Sequence, residues 1–279
     1  MSININSKQM KLNSAGKKFL TALLLTGAGV SIGVTINQNQ PLVNANAVSK
    51  KSVVGTTDGN IKLLSYQMPT VNKELRSNLG IPGASLPSSD GVDPNMNAYL
   101  YGQVLSESSA NNTKNYKVQY SLKSKGSSTA TPYATFEKKS FGDAKAANNY
   151  TKTINSSDQS GTSVDLGNGI TGKAIGTAGT TYTHWAQQGY WVQTSQEQSA
   201  PNGGYTDIAK GTAGLLNGTK LPQLAKGENG AVNFDSQAAA QSGKLGQKIV
   251  VQDGSNVFTL QAHDPVTATK MASSIDPSI

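Results

Sequence analysis

Residues 181–216 of the 279-residue chain read TYTHWAQQGYWVQTSQEQSAPNGGYTDIAKGTAGLL. Within 182–187, the side chains at even positions (Tyr, His, Ala) alternate with those at odd positions (Thr, Trp, Gln). This is the period-2 pattern of a strand with two unlike faces. Gln188 and Gly189 favour a tight turn, because glycine accepts the positive φ that short hairpin loops need. Residues 190–194 are rich in aromatic and β-branched side chains and predict the returning strand.

A helix is predicted after this hairpin. Ile208, Leu215 and Leu216 are spaced by seven and eight residues, so they share one helical face. Pro201 and the glycines that follow it favour a loop between the second strand and this helix.

The chain ends with a shorter version of the same plan. Residues 249–275 contain two apolar strand patterns separated by Asp253-Gly254, a strong signal for a hairpin turn. Asp264 and Pro265 then predict a helix start, since aspartate caps backbone N–H groups and proline has no N–H to lose. The sequence therefore predicts repeated strand-turn-strand-helix units at about 181–216 and 249–275.

Upstream segments complete the predicted architecture. Alternating patterns predict strands over 98–106, 116–122 and 132–137, and the alanine-rich stretch 141–154 predicts a helix. Strands thus come in adjacent runs, each followed by a helix, which predicts an α+β domain over 98–279: an antiparallel sheet with helices on one face. The segment 48–97, rich in Ser, Gly, Pro and Asn, predicts a flexible or loosely packed N-terminal arm.

The first 47 residues have the layout of a secretory signal peptide. They carry four lysines and no acidic residue, then an apolar run over 19–34, then the small residues 45–47 of a cleavage site. The apolar run is short for a membrane span, so we expect no stable span once the signal is removed. The predicted location is extracellular, either free or loosely associated with a Gram-positive cell surface.

Charge and cysteine content exclude several classes of protein. Removing the four signal lysines from the net charge of +8 leaves +4, spread along the chain. Without a basic run interleaved with aromatics, the sequence predicts no nucleic-acid partner. The absence of cysteine excludes disulfides, thiolate catalysis and cysteine-based metal sites.

The candidates for catalysis are sparse. His184 and His263 are the two histidines, one in each hairpin segment, and neither is part of an HExxH motif. We expect no metal and no cofactor. A glycan hydrolase would need two carboxylates facing one bond, and the acids that flank the aromatic segments are Glu197, Asp207, Asp235, Asp253 and Asp264.

Aromatic residues are concentrated in the first hairpin segment. Their flat rings could contact a cell-wall polymer or another carbohydrate from the strand surface. The candidate binding residues are Tyr182, Trp185, Tyr190, Trp191 and Tyr205.

Four short motifs carry a resemblance. They are the hairpin from Trp185 to Val192, Ala209-Lys210 after it, Leu221-Pro222 after the first helix, and Lys270-Met271-Ala272 near the chain end. Over about 172–275 the chain resembles uncharacterised secreted proteins of lactobacilli and related Firmicutes. The resemblance implies an extracellular address and an α+β domain, and it carries over no catalytic residue.

The leading hypothesis is a secreted, non-catalytic protein that contacts the cell wall through a sheet face carrying Trp185, Tyr190 and Trp191. Two alternatives remain open. A wall-glycan hydrolase predicts two carboxylates at catalytic separation in a cleft. An extracellular carrier of an apolar ligand predicts a deep apolar pocket between the sheet and the helices.

Overall fold

The computed structural model describes residues 67–93, 98–106, 115–154, 160–198, 206–236 and 244–276. All of them lie in one compact unit, Thr57–Ile279. The predicted signal peptide and the candidate Tyr205 lie outside the described residues.

Ten strands and four helices make up the described elements. The strands are β1 (Ala98–Ser106), β2 (Tyr116–Ser124), β3 (Thr131–Ser140), β4 (Thr162–Gly167), β5 (Ile170–Thr177), β6 (Thr180–Gln187), β7 (Tyr190–Glu197), β8 (Gly230–Asp235), β9 (Gln247–Asp253) and β10 (Asn256–Ala262). The helices are α1 (Met68–Leu79), α2 (Ala144–Ile154), α3 (Asp207–Gly218) and α4 (Pro265–Ser273).

The strands form one sheet in the order β1-β2-β3-β10-β9-β8-β7-β6-β5-β4. Every pair of neighbouring strands is antiparallel except β7 and β8, which run parallel. Strands β7 and β8 can run parallel because α3 lies between them in the chain. The helix carries the polypeptide back to the end of the sheet at which β7 begins. The α+β class predicted from sequence is confirmed.

Three two-residue turns join β4 to β7 at a ten-residue spacing. Their second residues are Gly169, Gly179 and Gly189, and in each turn both central residues have positive φ. Two consecutive positive φ values define the type I′ turn, whose twist matches that of the strands it joins. These turns fix the register of the four strands, and the register decides which side chains share a face.

Neighbouring residues of β9 show which helices pack on each face of the sheet. Ile249 and Val251 belong to the large apolar cluster with α1, α3 and α4, and we call this side the core face. Val250, between them, packs with Ala147 of α2 in a smaller cluster on the other side, the outer face. The expectation that all helices lie on one face is therefore wrong for α2. Central strands carry apolar residues on both faces, and α2 buries those on the outer face.

The β3–β10 pairing joins the three N-terminal strands to the rest of the sheet. Phe136 of β3 and Phe258 of β10 are fully buried on the core face, and their rings stack with centroids 5.9 Å apart. This pairing connects residues more than a hundred positions apart in the chain.

Residues 67–93, predicted as part of a loosely packed arm, are instead tightly packed. Met68, Val71 and Leu75 of α1 are buried in the core cluster. The chain that follows α1 is held at Pro87, whose carbonyl accepts a 2.7 Å hydrogen bond from Asn72 Nδ2. Local composition is rich in serine and proline, but the apolar face of α1 has a surface to cover, and this overrides the composition.

Gly102 allows α1 to approach β1 closely. A Cβ at this position would lie 2.6 Å from Val71 Cγ1 and 2.9 Å from two carbons of Leu75. The missing side chain therefore lets the helix settle directly on the edge strand.

Both predicted hairpin segments contain two strands and then a helix: β6, β7 and α3, and later β9, β10 and α4. Their settings in the sheet differ, since β7 pairs with the parallel strand β8 while β10 pairs with antiparallel β3. A repeated unit therefore stays a prediction. Within the described ranges, no helix is long and apolar enough to cross a membrane.

Candidate functional site

The β6–β7 register divides the predicted aromatic residues between the two faces. Trp185 pairs with Val192, and Trp191 pairs with Ala186, so the two tryptophans point to opposite sides. Trp185 and Tyr190 lie on the core face, whereas Tyr182 and Trp191 lie on the outer face. The expectation that Trp185, Tyr190 and Trp191 share one sheet face is therefore wrong.

Trp185 and Tyr190 are parts of the core. They are 3% and 1% exposed, which leaves no ring surface for a partner. The Tyr190 hydroxyl donates a 2.7 Å hydrogen bond to the carbonyl of Pro222, and its ring lies against Gly230, where a Cβ would be 2.4 Å from the ring. Burial, followed by the nearby Glu228 carboxylate, raises the pKa of Tyr190 well above its usual range.

The partly exposed Tyr182 and Trp191, with the buried His184, form a patch on the outer face that we call the β6–β7 patch. The His184 ring stacks on the Trp191 ring with centroids 5.3 Å apart and an angle of 23° between their planes. Tyr182 is two residues before His184 on the same strand and is partly exposed. Ile175 of β5, directly opposite Tyr182, is 37% exposed.

The indole N–H of Trp191 is a donor without an acceptor. Its Nε1 is shielded from solvent and has no hydrogen-bond partner among the described residues. Buried donors are nearly always paired in folded proteins, so such a group calls for an explanation. Because this atom is shielded, a ligand at the surface does not reach it, and Trp191 offers a partner only the exposed part of its side chain.

Polar side chains of β7 and β8 border the patch. Gln193 and Ser195 of β7 lie opposite His184 and Tyr182, and Asn233 and Asp235 of β8 lie beside them in register. All four are partly exposed. The patch thus combines aromatic rings with amide and hydroxyl groups, which can receive a ligand that has both apolar and hydroxyl surfaces.

The two histidines are not brought together. His184 is in β6, whereas His263 follows β10, and four strand spacings of about 4.8 Å separate those strands in the sheet. His263 Nε2 lies 3.1 Å from Asp264 Oδ2, and its Nδ1 lies 3.4 Å from the carbonyl oxygen of Tyr133. In the part of the chain that the structure describes, no group of three His, Cys, Asp or Glu residues could hold a metal ion.

One of the five candidate acids caps a helix, and a second ends a strand beside a hairpin turn. Asp264 Oδ1 accepts a 2.9 Å hydrogen bond from the Thr267 N–H and caps α4, as its sequence position predicts. Asp253 ends β9 next to the turn residue Gly254, whose N–H donates a 2.6 Å hydrogen bond to Glu228 Oε1. Glu228 was not among the sequence candidates, because only the fold brings its loop beside the β9–β10 turn.

Asp253 gives a test of pH dependence. Burial, then the Glu228 carboxylate, raises the pKa of Asp253, while Lys138 acts in the opposite direction. The folded state therefore favours the protonated carboxyl, so this group lowers stability at neutral pH and the loss disappears as pH falls through the raised pKa. We expect Asp253→Asn to be more stable than the parent at pH 7, and the difference to shrink toward lower pH.

Urea unfolding of both proteins at a series of pH values measures this difference. Asp165→Asn, in an exposed position on β4, controls for the loss of one negative charge. A difference between Asp253→Asn and the parent that grows toward low pH would contradict the assignment.

The described interior gives no support to an apolar carrier. Val232, Phe234 and Ile249, which face the helices, are at most 2% exposed and belong to one packed cluster. A cleft of about 580 Å³ lies elsewhere, beside α1, and its lining includes Lys73 and Arg76. It is open to solvent and lined by two charged side chains, unlike the deep apolar pocket that an apolar ligand needs.

No family model, curated protein or solved structure matches this chain. The resemblance to secreted proteins of lactobacilli and related Firmicutes therefore stays a prediction. The candidate site rests on the geometry of the β6–β7 patch alone.

Proposed function

We propose that this is a secreted, non-catalytic protein that binds a cell-wall glycan through the β6–β7 patch. The observation that carries the proposal is the His184–Trp191 stack with Tyr182 beside it, since Trp191 and Tyr182 are both partly exposed. A sugar ring offers C–H groups to an aromatic surface and hydroxyl groups to the side-chain amides of Gln193 and Asn233. Stacking and hydrogen bonds would thus act on the same ligand.

The surroundings of the patch favour binding without catalysis. Asp235 lies next to Ser195 at the border of the patch, and Glu197, two residues after Ser195 on β7, is exposed on the same face. Asp207, Asp253 and Asp264 lie in or beside other elements. A hydrolase needs two carboxylates on opposite sides of one sugar bond, whereas Asp235 and Glu197 project from one sheet face. Amide and hydroxyl neighbours such as Gln193 and Asn233 instead suit hydrogen bonding to a neutral sugar.

The proposed extracellular address comes from residues 1–47, with their basic, apolar and small-residue parts in signal-peptide order. The resemblance to secreted proteins of lactobacilli and related Firmicutes supports the same address. We also propose that the two hairpin-helix segments, about 181–216 and 249–275, are related units, with the first one carrying the binding patch.

Trp191→Ala is expected to weaken binding to purified Gram-positive cell walls by about tenfold or more, because it removes the stacking surface. A pull-down on wall fragments over a salt series measures it. Binding through the patch should survive high salt, since attraction by the small net charge would be screened.

Val266→Ala is the matched control, because Val266 is an apolar residue, 43% exposed, on α4. It should leave wall binding unchanged. Equal binding by Trp191→Ala and the parent would contradict the proposal, as would binding that disappears in high salt. Thermal unfolding of each variant confirms that the fold is intact.

A further inference from the structure

The outer face of β1, β2 and β3 is a second surface with its own chemistry. Helix α1 packs on β1 from the core face, and α2 packs on β8, β9 and β10. The outward residues of β1 are Tyr99, Tyr101 and Gln103, which alternate with the buried or core-directed Leu100 and Gly102. We call this the β1–β3 surface.

Two tyrosine rings stand side by side on this surface. Tyr99 and Tyr101 are two positions apart on one strand, so they share a face at a spacing of about 6.8 Å. Both are partly exposed. Because β1 is the first strand in the sheet order, the rings lie at the rim, where an extended chain can pass over them.

Polar side chains continue the surface across the sheet. Gln103 of β1, Gln119 of β2 and Gln261 of β10 lie in register across the sheet, with the buried Thr135 of β3 between the last two. Neighbouring members are about 4.8 Å apart. Gln119 Nε2 donates a hydrogen bond to Ser121 Oγ and Gln261 Nε2 donates one to the Leu245 carbonyl, so the amide oxygens are the groups left for a ligand.

Positive charge on the β1–β3 surface is not balanced locally. Lys123 lies directly opposite Tyr99, and Lys117 lies opposite Glu137. The Glu137 carboxylate is 3.2 Å from Lys139 Nζ, so its charge is already matched. Among the described residues, no ion pair involves Lys117 or Lys123.

We propose that the β1–β3 surface binds a linear anionic glycan, with sugar rings on Tyr99 and Tyr101 and carboxylates near Lys117 and Lys123. Charge complementarity selects the anion, and the amide row with the tyrosine pair selects a sugar chain. This inference stands apart from the proposed function, because the β1–β3 surface shares no residue with the β6–β7 patch.

Polygalacturonate and its neutral methyl ester are the probes, and calorimetric titration of the full chain measures binding. The parent should bind the acid form and bind the ester at least tenfold more weakly. Lys117→Gln with Lys123→Gln should weaken binding of the acid form about tenfold and reduce its salt dependence. Tyr99→Ala with Tyr101→Ala should weaken it at every salt concentration.

Lys210→Gln with Lys220→Gln is the matched control, since both lysines are exposed in and just after α3. It removes the same charge and should leave binding of the acid form unchanged. Trp191→Ala should also leave it unchanged, which separates the two surfaces. Far-ultraviolet circular dichroism and thermal unfolding verify that each variant is folded.

Four results would overturn the proposal. They are no binding of polygalacturonate at low salt, equal binding of the ester, equal losses in the control lysine pair, and tighter binding of single-stranded oligothymidylate at the same residues. The last of these would identify the surface as a nucleic-acid site. Loss of wall binding in Trp191→Ala alone would bear on the proposed function and not on this surface.

Discussion

Phe136→Ala is expected to lower the free energy of unfolding by about 3–5 kcal/mol. Phe136 is fully buried and stacks on the fully buried Phe258 across the β3–β10 pairing. Truncation removes its apolar burial and leaves a cavity that the two packed strands cannot close. It also weakens the pairing through which the three N-terminal strands join the rest of the sheet.

Equilibrium unfolding in urea measures the loss, and the slope of the transition reports whether the sheet still unfolds as one unit. Phe141→Ala is the matched control, because Phe141 is only partly buried, in the smaller cluster under α2. Its loss should be clearly smaller. Equal losses in the free energy of unfolding for Phe136→Ala and Phe141→Ala would contradict a larger contribution from the β3–β10 pairing.

Asn72→Ala is expected to lower the free energy of unfolding by about 2–4 kcal/mol. It leaves two buried polar groups, the Pro87 carbonyl and the Tyr120 hydroxyl, without partners. Asn72 Nδ2 donates to the Pro87 carbonyl at 2.7 Å, and Asn72 Oδ1 accepts from the Tyr120 hydroxyl at 3.1 Å. Asn72 is 4% exposed and Tyr120 is fully buried, so water cannot replace the lost bonds.

A double-mutant cycle with Tyr120→Phe isolates the coupling. Tyr120→Phe should lower the free energy of unfolding less in the Asn72→Ala background than in the parent, because the Tyr120 hydroxyl has already lost its acceptor there. Asn148→Ala is the control, because Asn148 makes a side-chain hydrogen bond to the Gly227 carbonyl at an exposed position. Additive losses for Asn72→Ala and Tyr120→Phe would contradict the network.

Local patterns were sufficient to predict the hairpins. The alternation over 182–187 and the Gln188-Gly189 turn correspond to β6, its type I′ turn and β7. The cap at Asp264 was also predictable, because its chemistry involves only the next three residues. Such signals lie within a few positions and do not depend on the rest of the fold.

The division of the aromatic patch was contained in the sequence but was missed. A two-residue turn at Gln188-Gly189 forces Gln187 to pair with Tyr190, and every pair farther from the turn follows from that one. Counting outward places Trp185 opposite Val192, on the other face from Trp191. The same count would have placed His184 and Trp191 on one face, where the structure shows them stacked.

Other features depend on partners far away in the chain. Helix α1 forms in a segment whose composition predicts a loose arm, because the sheet offers its apolar face a surface at Gly102. The parallel pairing of β7 with β8 and the position of α2 on the outer face depend on how the whole sheet assembles. No window of a few residues contains that information.

The last strand in the chain lies in the interior of the sheet. Strands β1, β2 and β3 can pair with one another early, but their other neighbour, β10, is made more than a hundred residues later. Closing so long a loop is entropically costly, and pairings between distant segments form slowly. The polypeptide thus has no complete sheet until its final hairpin is present.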